Sequence, residues 1–138
     1  MSAGYSGTPL AKKLGIREGA RVATLGAPGH VTTLLEPLPR GVRIRPDLRG
    51  SGPFDVLIVF VRSERELDDR LERARARLET AGGLWVAWPK QSSPLASELR
   101  ESDVRAHGLA TGLVDNKVCA IDQDWSGLRF VVRLRDRR

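Results

Sequence analysis

The stretch Gly82-Gly83-Leu84-Trp85-Val86-Ala87-Trp88-Pro89-Lys90-Gln91-Ser92-Ser93 decides how this chain is read. It holds a glycine pair, five apolar residues in a row, and a proline followed by a polar cluster. Glycine supplies the positive φ that a helix C-terminus or tight turn needs, so the pair predicts the end of a helix. Five continuous apolar residues predict a short strand covered on both faces, as in a parallel sheet. Pro89 has no N–H to give a ladder and predicts the strand's end. Lys90, Ser92 and Ser93 then follow the carboxyl end of a strand, where open α/β sheets bind ligands.

Working outward, Phe54-Asp55-Val56-Leu57-Ile58-Val59-Phe60-Val61 is the strongest strand signal, apolar on both faces and rich in β-branched residues. Ser63-Glu64-Arg65-Glu66 is a capping box. Leu67, Leu71, Ala74 and Leu78 recur on one face of a four-turn helix that runs into the glycine pair. Upstream, Thr8 and Pro9 start a short helix as N-cap and first residue, and Gly15 ends it. Residues 21–25 read as a first strand. Gly26-Ala27-Pro28-Gly29-His30 follows, then a short helix over residues 31–35 and an alternating edge strand at 41–45. Downstream, residues 94–109 read as mainly helical with a break near Ser102 and Asp103, and residues 113–121 as a strand. Asp122-Gln123-Asp124-Trp125-Ser126-Gly127 is a tight connection to a last strand over 128–134. Six residues are too few for a crossover, so the final pair must be an antiparallel hairpin.

The fold predicted is therefore a three-layer α/β domain with a mainly parallel sheet closed by a C-terminal antiparallel hairpin. Residues 21–25, 55–61 and 84–88 should run parallel to one another. This order resembles a reduced Rossmann, class I methyltransferase topology in which 84–90 is similar to the family's fifth strand and the hairpin to its sixth and seventh. One strand-helix unit of the N-terminal half is missing. A closer resemblance is to a bacterial family, the domains of unknown function numbered three-zero-five-two. Leu14-Gly15, Gly82-Gly83-Leu84-Trp85, Pro89-Lys90 and Asp124-Trp125-Ser126-Gly127, with Leu128 and Val131 behind it, carry that resemblance. It implies a small α/β protein and no particular activity.

A chain of 138 residues, 41% hydrophobic and 29% charged, is expected to form one globular domain, with residues 1–7 and 135–138 as flexible ends. No apolar run approaches the ~18 residues of a membrane span, and no signal pattern opens the chain, so a cytoplasmic protein is expected. Cys119 is the one cysteine, which excludes an internal disulfide. The net charge of +6 rests on 19 Arg against 4 Lys. Arg65, Arg70, Arg73, Arg75 and Arg77 alternate with acids along residues 64–79, as on a solvated helix face. Only the tail 133–138 is concentrated, so any nucleic-acid binding should be weak and phosphate-driven.

If the last strand inserts beside 84–88, Lys90, Ser92, Asp122, Asp124, Trp125 and Ser126 converge at one sheet edge as a polar site with an aromatic wall. The same residues also have structural readings: Lys90 paired with Asp122 or Asp124, Trp125 plugging the sheet end with its N–H on a carbonyl, and Ser126-Gly127 as hairpin chemistry. Gly26, Gly29 and His30 form a candidate anion loop at the start of a helix. Cys119 reads as a small buried hydrophobe, His107 as a surface residue, and no metal pattern is present.

A methyltransferase glycine loop needs free backbone amides near its cofactor. Pro28 removes one, and the second strand ends in Arg45-Pro46 where an acid would hold a ribose, with Asp47 just beyond. No cofactor is therefore expected. The leading reading is a non-catalytic binding or regulatory domain, with an unidentified small molecule or protein as partner. The alternatives are a small transferase of methyltransferase type and a nucleic-acid-associated basic protein.

Overall fold

The computed structural model describes residues 8–137. The long apolar run forms β3 (Phe54–Phe60), one of six strands with β1 (Arg21–Leu25), β2 (Arg43–Arg45), β4 (Leu78–Pro89), β5 (Leu113–Ala120) and β6 (Trp125–Val132). The helices are α1 (Leu10–Lys13), α2 (Val31–Leu34), α3 (Glu64–Arg75) and α4 (Glu101–Ala110). The sheet order is β2-β1-β3-β4-β6-β5. The first four of these strands are parallel, and β6 pairs antiparallel with both β4 and β5. This is the predicted architecture, down to the antiparallel strand inserted beside β4.

Alternation along the strands builds two cores. Leu57, Val59, Leu84, Val86, Trp88, Leu128 and Phe130 face α3 and α4, meeting Leu67, Leu71, Ala74 and Val104. Val56, Ile58, Phe60, Trp85 and Ala87 face α1 and α2, meeting Leu14, Val31 and Leu35. The two tryptophans of the opening stretch thus point to opposite layers. On its side, Trp85 donates Nε1–H to the Leu14 carbonyl at 3.0 Å. Two arginines pin the loop before β3. Arg21 donates to the Pro53 and Ser51 carbonyls and Arg77 to those of Leu48 and Gly52, with both guanidinium groups over the Phe54 ring at 4.8 and 5.1 Å. Part of the arginine excess is thus spent holding backbone.

Several boundaries differ from those expected. Helix α3 stops at Arg75, and Leu78 belongs to the sheet. Phe54 N–H donates to the Arg77 carbonyl at 2.7 Å and Leu78 pairs with Phe54, so sheet pairing takes the groups a fourth helical turn would have used. The glycine pair therefore caps no helix. Neither Gly82 nor Gly83 has a positive φ; both lie inside β4, next to a bulge where the partner of β3 jumps from Leu78 to Gly83. Their reason is room. A Cβ on Gly82 would stand 2.6 Å from the Asp55 carbonyl oxygen, and one on Gly83 2.5 Å from Nε of Arg129.

Residues 94–100 are a turn followed by irregular chain, not helix. Helix α4 begins at Glu101, where the Asp103 carboxylate accepts the Arg100 N–H at 2.9 Å, so Ser102 and Asp103 start the helix and do not break it. In α1 the N-cap position falls on Pro9, with no side-chain cap. Ser63 caps α3 as expected through Glu66 N–H (3.1 Å), but Glu66 Oε1 takes the Arg62 N–H at 2.7 Å in place of Ser63's own. Strand β6 starts at Trp125 and ends at Val132, which shortens the hairpin link to 121–124. The segment 1–7 and Arg138 lie outside the described residues. Leu134–Asp136 forms a 3-10 turn, and Arg137 donates to the Val132 carbonyl at 3.0 Å. No described helix is long and apolar enough to cross a membrane.

Candidate functional site

The carboxyl ends of β1, β3 and β4 and the start of β6 meet at one edge. Pro89 pairs with Trp125, and the residues around that pair are stitched together through the hairpin. Asp122 Oδ1 accepts the Asp124 and Trp125 N–H groups at 2.8 and 2.9 Å, an Asx-type closure of the link. Lys90 N–H donates to the Asp124 carbonyl at 2.8 Å, and Ser93 Oγ–H to Asp124 Oδ1 at 2.9 Å. Ser93 is buried and Ser92 exposed, so the serine that ties this edge is the neighbour of the one expected.

Across the edge, His30 Nε2 lies 2.9 Å from Asp122 Oδ2 and joins the β1 loop to the hairpin. The structural readings of this edge are thus revised. Asp122 is engaged by His30 and Asp124 by Ser93, and Lys90 makes no ion pair among the described residues. Trp125 does plug the sheet end, buried and edge-on to Phe60 with ring centroids 5.1 Å apart, but its Nε1–H has no hydrogen-bond partner among the described residues. Ser126 is half-buried in the ladder opposite Trp88.

A cavity of about 290 Å³ opens beside Trp125, walled by Gly26, Pro28, Phe60 and Leu95 and by the charged side chains of Arg62, Glu66 and Arg70. Of the residues expected here, Gly26 and Trp125 line it. Lys90, Ser92, Asp122, Asp124, Ser126, Gly29 and His30 do not. Gly26 has φ +72°, and a Cβ there would overlap the guanidinium of Arg70. That guanidinium donates to the Phe60 carbonyl at 2.6 Å and lies 3.5 Å from Glu66 Oε1. The left-handed φ alone favours glycine there, and the arginine lying against it leaves no room for a Cβ. Arg62, Glu66 and Arg70 were missed because they sit among alternating charges that read as a solvated face. The usable signal was the cap: Ser63 starts α3 just past β3, so Glu66 and Arg70, one turn apart, return to the sheet edge.

Asp47, the acid just past β2, accepts the N–H of Arg49 at 3.0 Å and pairs with its side chain at 3.5 Å. Cys119 is half-buried and packs against the α1 side of the core. Burial pushes its thiol pKa up, against the smaller opposing pull of Lys13 and Lys117. His107 is half-buried between α4 and α3, 3.9 Å from both Glu64 and Asp68. Among the described residues no group of three or more His, Cys, Asp or Glu is placed to hold a metal ion.

Several solved structures share this fold. Magnesium protoporphyrin IX methyltransferase from Synechocystis PCC 6803, solved with bound SAM, superposes with a TM-score of 0.59 at 12% identity, over 90% of this chain and 74% of that one. Fibrillarin from Aeropyrum pernix, with natively bound S-adenosyl-L-methionine, gives 0.59 at 18% identity over 88% and 73%. A possible exported protein from Bordetella parapertussis gives 0.65 at 12% identity over 90% and 66%. At these identities the likeness establishes a methyltransferase-like fold and nothing about chemistry. None of the curated proteins matches the sequence. A family profile does, across residues 47–134, from the loop before β3 through the hairpin and β6, and the chain belongs to that family, described as protein of unknown function (DUF3052).

Proposed function

We propose that this chain is a small-molecule-binding domain on a methyltransferase-like scaffold, without transferase activity. The observation that carries the reading is the guanidinium of Arg70 lying on Gly26, where the first loop of such a fold would present bare amides to a cofactor. Pro28 lacks an amide, and Asp47 is occupied by Arg49. Each lost hydrogen bond to a charged group costs on the order of 1.5–3 kcal/mol, and 1.4 kcal/mol is a factor of about ten. Two such losses weaken a micromolar cofactor by roughly two to four powers of ten. The cavity instead suits a compact ligand with an apolar face toward Trp125 and Leu95 and an anionic group toward Arg62.

The second reading, a small methyltransferase, is supported by the fold shared with proteins solved with bound S-adenosylmethionine and by a cavity at the carboxyl edge beside Gly26. Nucleic-acid association has less support, because Arg21, Arg70, Arg77 and Arg137 are engaged with backbone carbonyls.

Native mass spectrometry of the purified protein followed by calorimetry with S-adenosylmethionine separates the first two readings. The expected result is no S-adenosylmethionine isotherm at micromolar protein. A micromolar isotherm abolished by Gly26→Val, in a variant that still melts cooperatively, establishes cofactor binding and overturns the proposal.

A further inference from the structure

The opposite edge of the sheet holds a second cavity, of about 420 Å³, beneath the link from α1 to β1 and beside the bulge of β4. Arg129 of β6 reaches into it, half-buried and close against Gly83. Nε, Cζ and Nη2 of its guanidinium would all lie within 2.5–2.8 Å of a Cβ on Gly83. A glycine inside a strand is less favourable than alanine, so the sheet gives up stability to seat this group.

Little answers the charge. Arg129 makes one long contact, Nη1 to Asn116 Oδ1 at 3.4 Å, and no ion pair to a carboxylate among the described residues. Burial, and then the neighbouring charge of Arg137, lower its pKa from the ordinary arginine value. A guanidinium carries five donors in a fork that matches a planar carboxylate. Desolvating it without an acid partner is costly. Bulges gather beside functional sites because they re-aim backbone and side chains, and this one places Ala81 and Gly82 on the cavity wall. Asp55 is already spoken for, accepting the Arg21 N–H at 2.8 Å.

We propose that Arg129, seated on Gly83 beside the β4 bulge, is the anchor of a second ligand site, for a small organic carboxylate, at the amino edge of the sheet. The choice of carboxylate over phosphate follows from charge. Glu18 and Asp55 line the same cavity as Arg17 and Arg129, which leaves it nearly neutral overall and unfavourable to a dianion. This site is separate from the carboxyl-edge cavity and does not depend on what that cavity binds.

The test is amide NMR of the full chain near neutral pH titrated with the monoanion propionate, and in a parallel arm with inorganic phosphate, at low ionic strength. Saturable shifts at Gly82, Gly83 and Arg129 with propionate are expected, weakened about tenfold or more by Arg129→Met, while any shift at Gly26 is unchanged by that variant. Arg129→Met removes a desolvated charge, so its melting temperature should be no lower than the parent's. Should it fail to fold, Arg129→Lys keeps the charge but loses the fork and should weaken propionate in the same way. Shifts that do not saturate, that survive these substitutions, or that phosphate alone produces overturn the proposal.

Discussion

The Nε2 of His30 stands 2.9 Å from Oδ2 of Asp122, a contact spanning 92 residues of sequence that closes the carboxyl edge between the β1 loop and the hairpin. The two partners are unequal. His30 is exposed, so the pair contributes about 0–1 kcal/mol. Asp122 also accepts two backbone N–H groups through its other oxygen. His30→Ala should therefore lower stability by less than about 1 kcal/mol, whereas Asp122→Ala should cost about 1–3 kcal/mol by orphaning the hairpin amides. Urea unfolding of the two variants tests this, and equal losses would mean that the histidine contact carries the hairpin.

Trp85 and Trp125 are both buried, but among the described residues only Trp85 of the two has a partner for its indole N–H. Trp85→Phe loses packing volume and leaves the Leu14 carbonyl without its donor. Trp125→Phe loses similar volume but also removes an unsatisfied donor, which offsets part of the loss. The first substitution should destabilise by about 1 kcal/mol or more beyond the second in thermal or denaturant unfolding. The reverse order would show that Trp125 packing against Phe60 outweighs the hydrogen bond.

The sheet was legible because its signals are local. Apolar runs at 54–61 and 84–88 and a link too short for a crossover dictate parallel strands and a closing hairpin, and the structure has both. The glycine pair was misread because glycine has two uses. One is positive φ, which is local. The other is the absence of a Cβ, which depends on Asp55 and Arg129 arriving from elsewhere in the chain. The same gap explains the site. Asp122 and His30 stood out individually, yet nothing in the spacing says that they touch. Arg70 looked like a surface charge until the Gly26 loop was folded against it.

Cys119 is the one thiol, half-buried in β5. Burial raises its pKa in the folded state, so the thiolate fraction at a given pH is below that of the unfolded chain. Alkylation by iodoacetamide near neutral pH should be slower in native protein than in denatured protein. The sign for stability follows. A folded pKa above the unfolded value gives stability that is present below the unfolded pKa and lost as pH rises through the folded one. Stability should fall on the alkaline side, and Cys119→Ala should remove that part of the slope.

Gly108 lies in the interior of α4, where alanine normally gains about 0.8–1 kcal/mol over glycine. Here the position faces the sheet, and a Cβ would overlap the buried ring of Phe130. Helix propensity and packing therefore oppose each other. Overpacking a core costs typically about 1–3 kcal/mol, so packing should win and Gly108→Ala should destabilise. Phe130→Leu in the same chain should relieve part of that penalty, as a double-mutant cycle would show.

Gly82 and Gly83 are adjacent in β4, yet their substitutions should behave differently. A Cβ on Gly82 meets the Asp55 carbonyl at 2.6 Å, which is backbone of β3 and cannot swing away as a side-chain end can. A Cβ on Gly83 meets the far end of the Arg129 side chain, which can swing away. Gly82→Ala should thus cost more than Gly83→Ala, by about 1–3 kcal/mol of strain. Gly83→Ala trades the eviction of Arg129 against relief of glycine's backbone entropy, worth about 0.5–1 kcal/mol, and should fall near zero. Combined with Arg129→Ala, which empties the space, Gly83→Ala should become stabilising. A Gly83→Ala penalty that persists in the Arg129→Ala background would mean that the strand, not the arginine, requires the glycine.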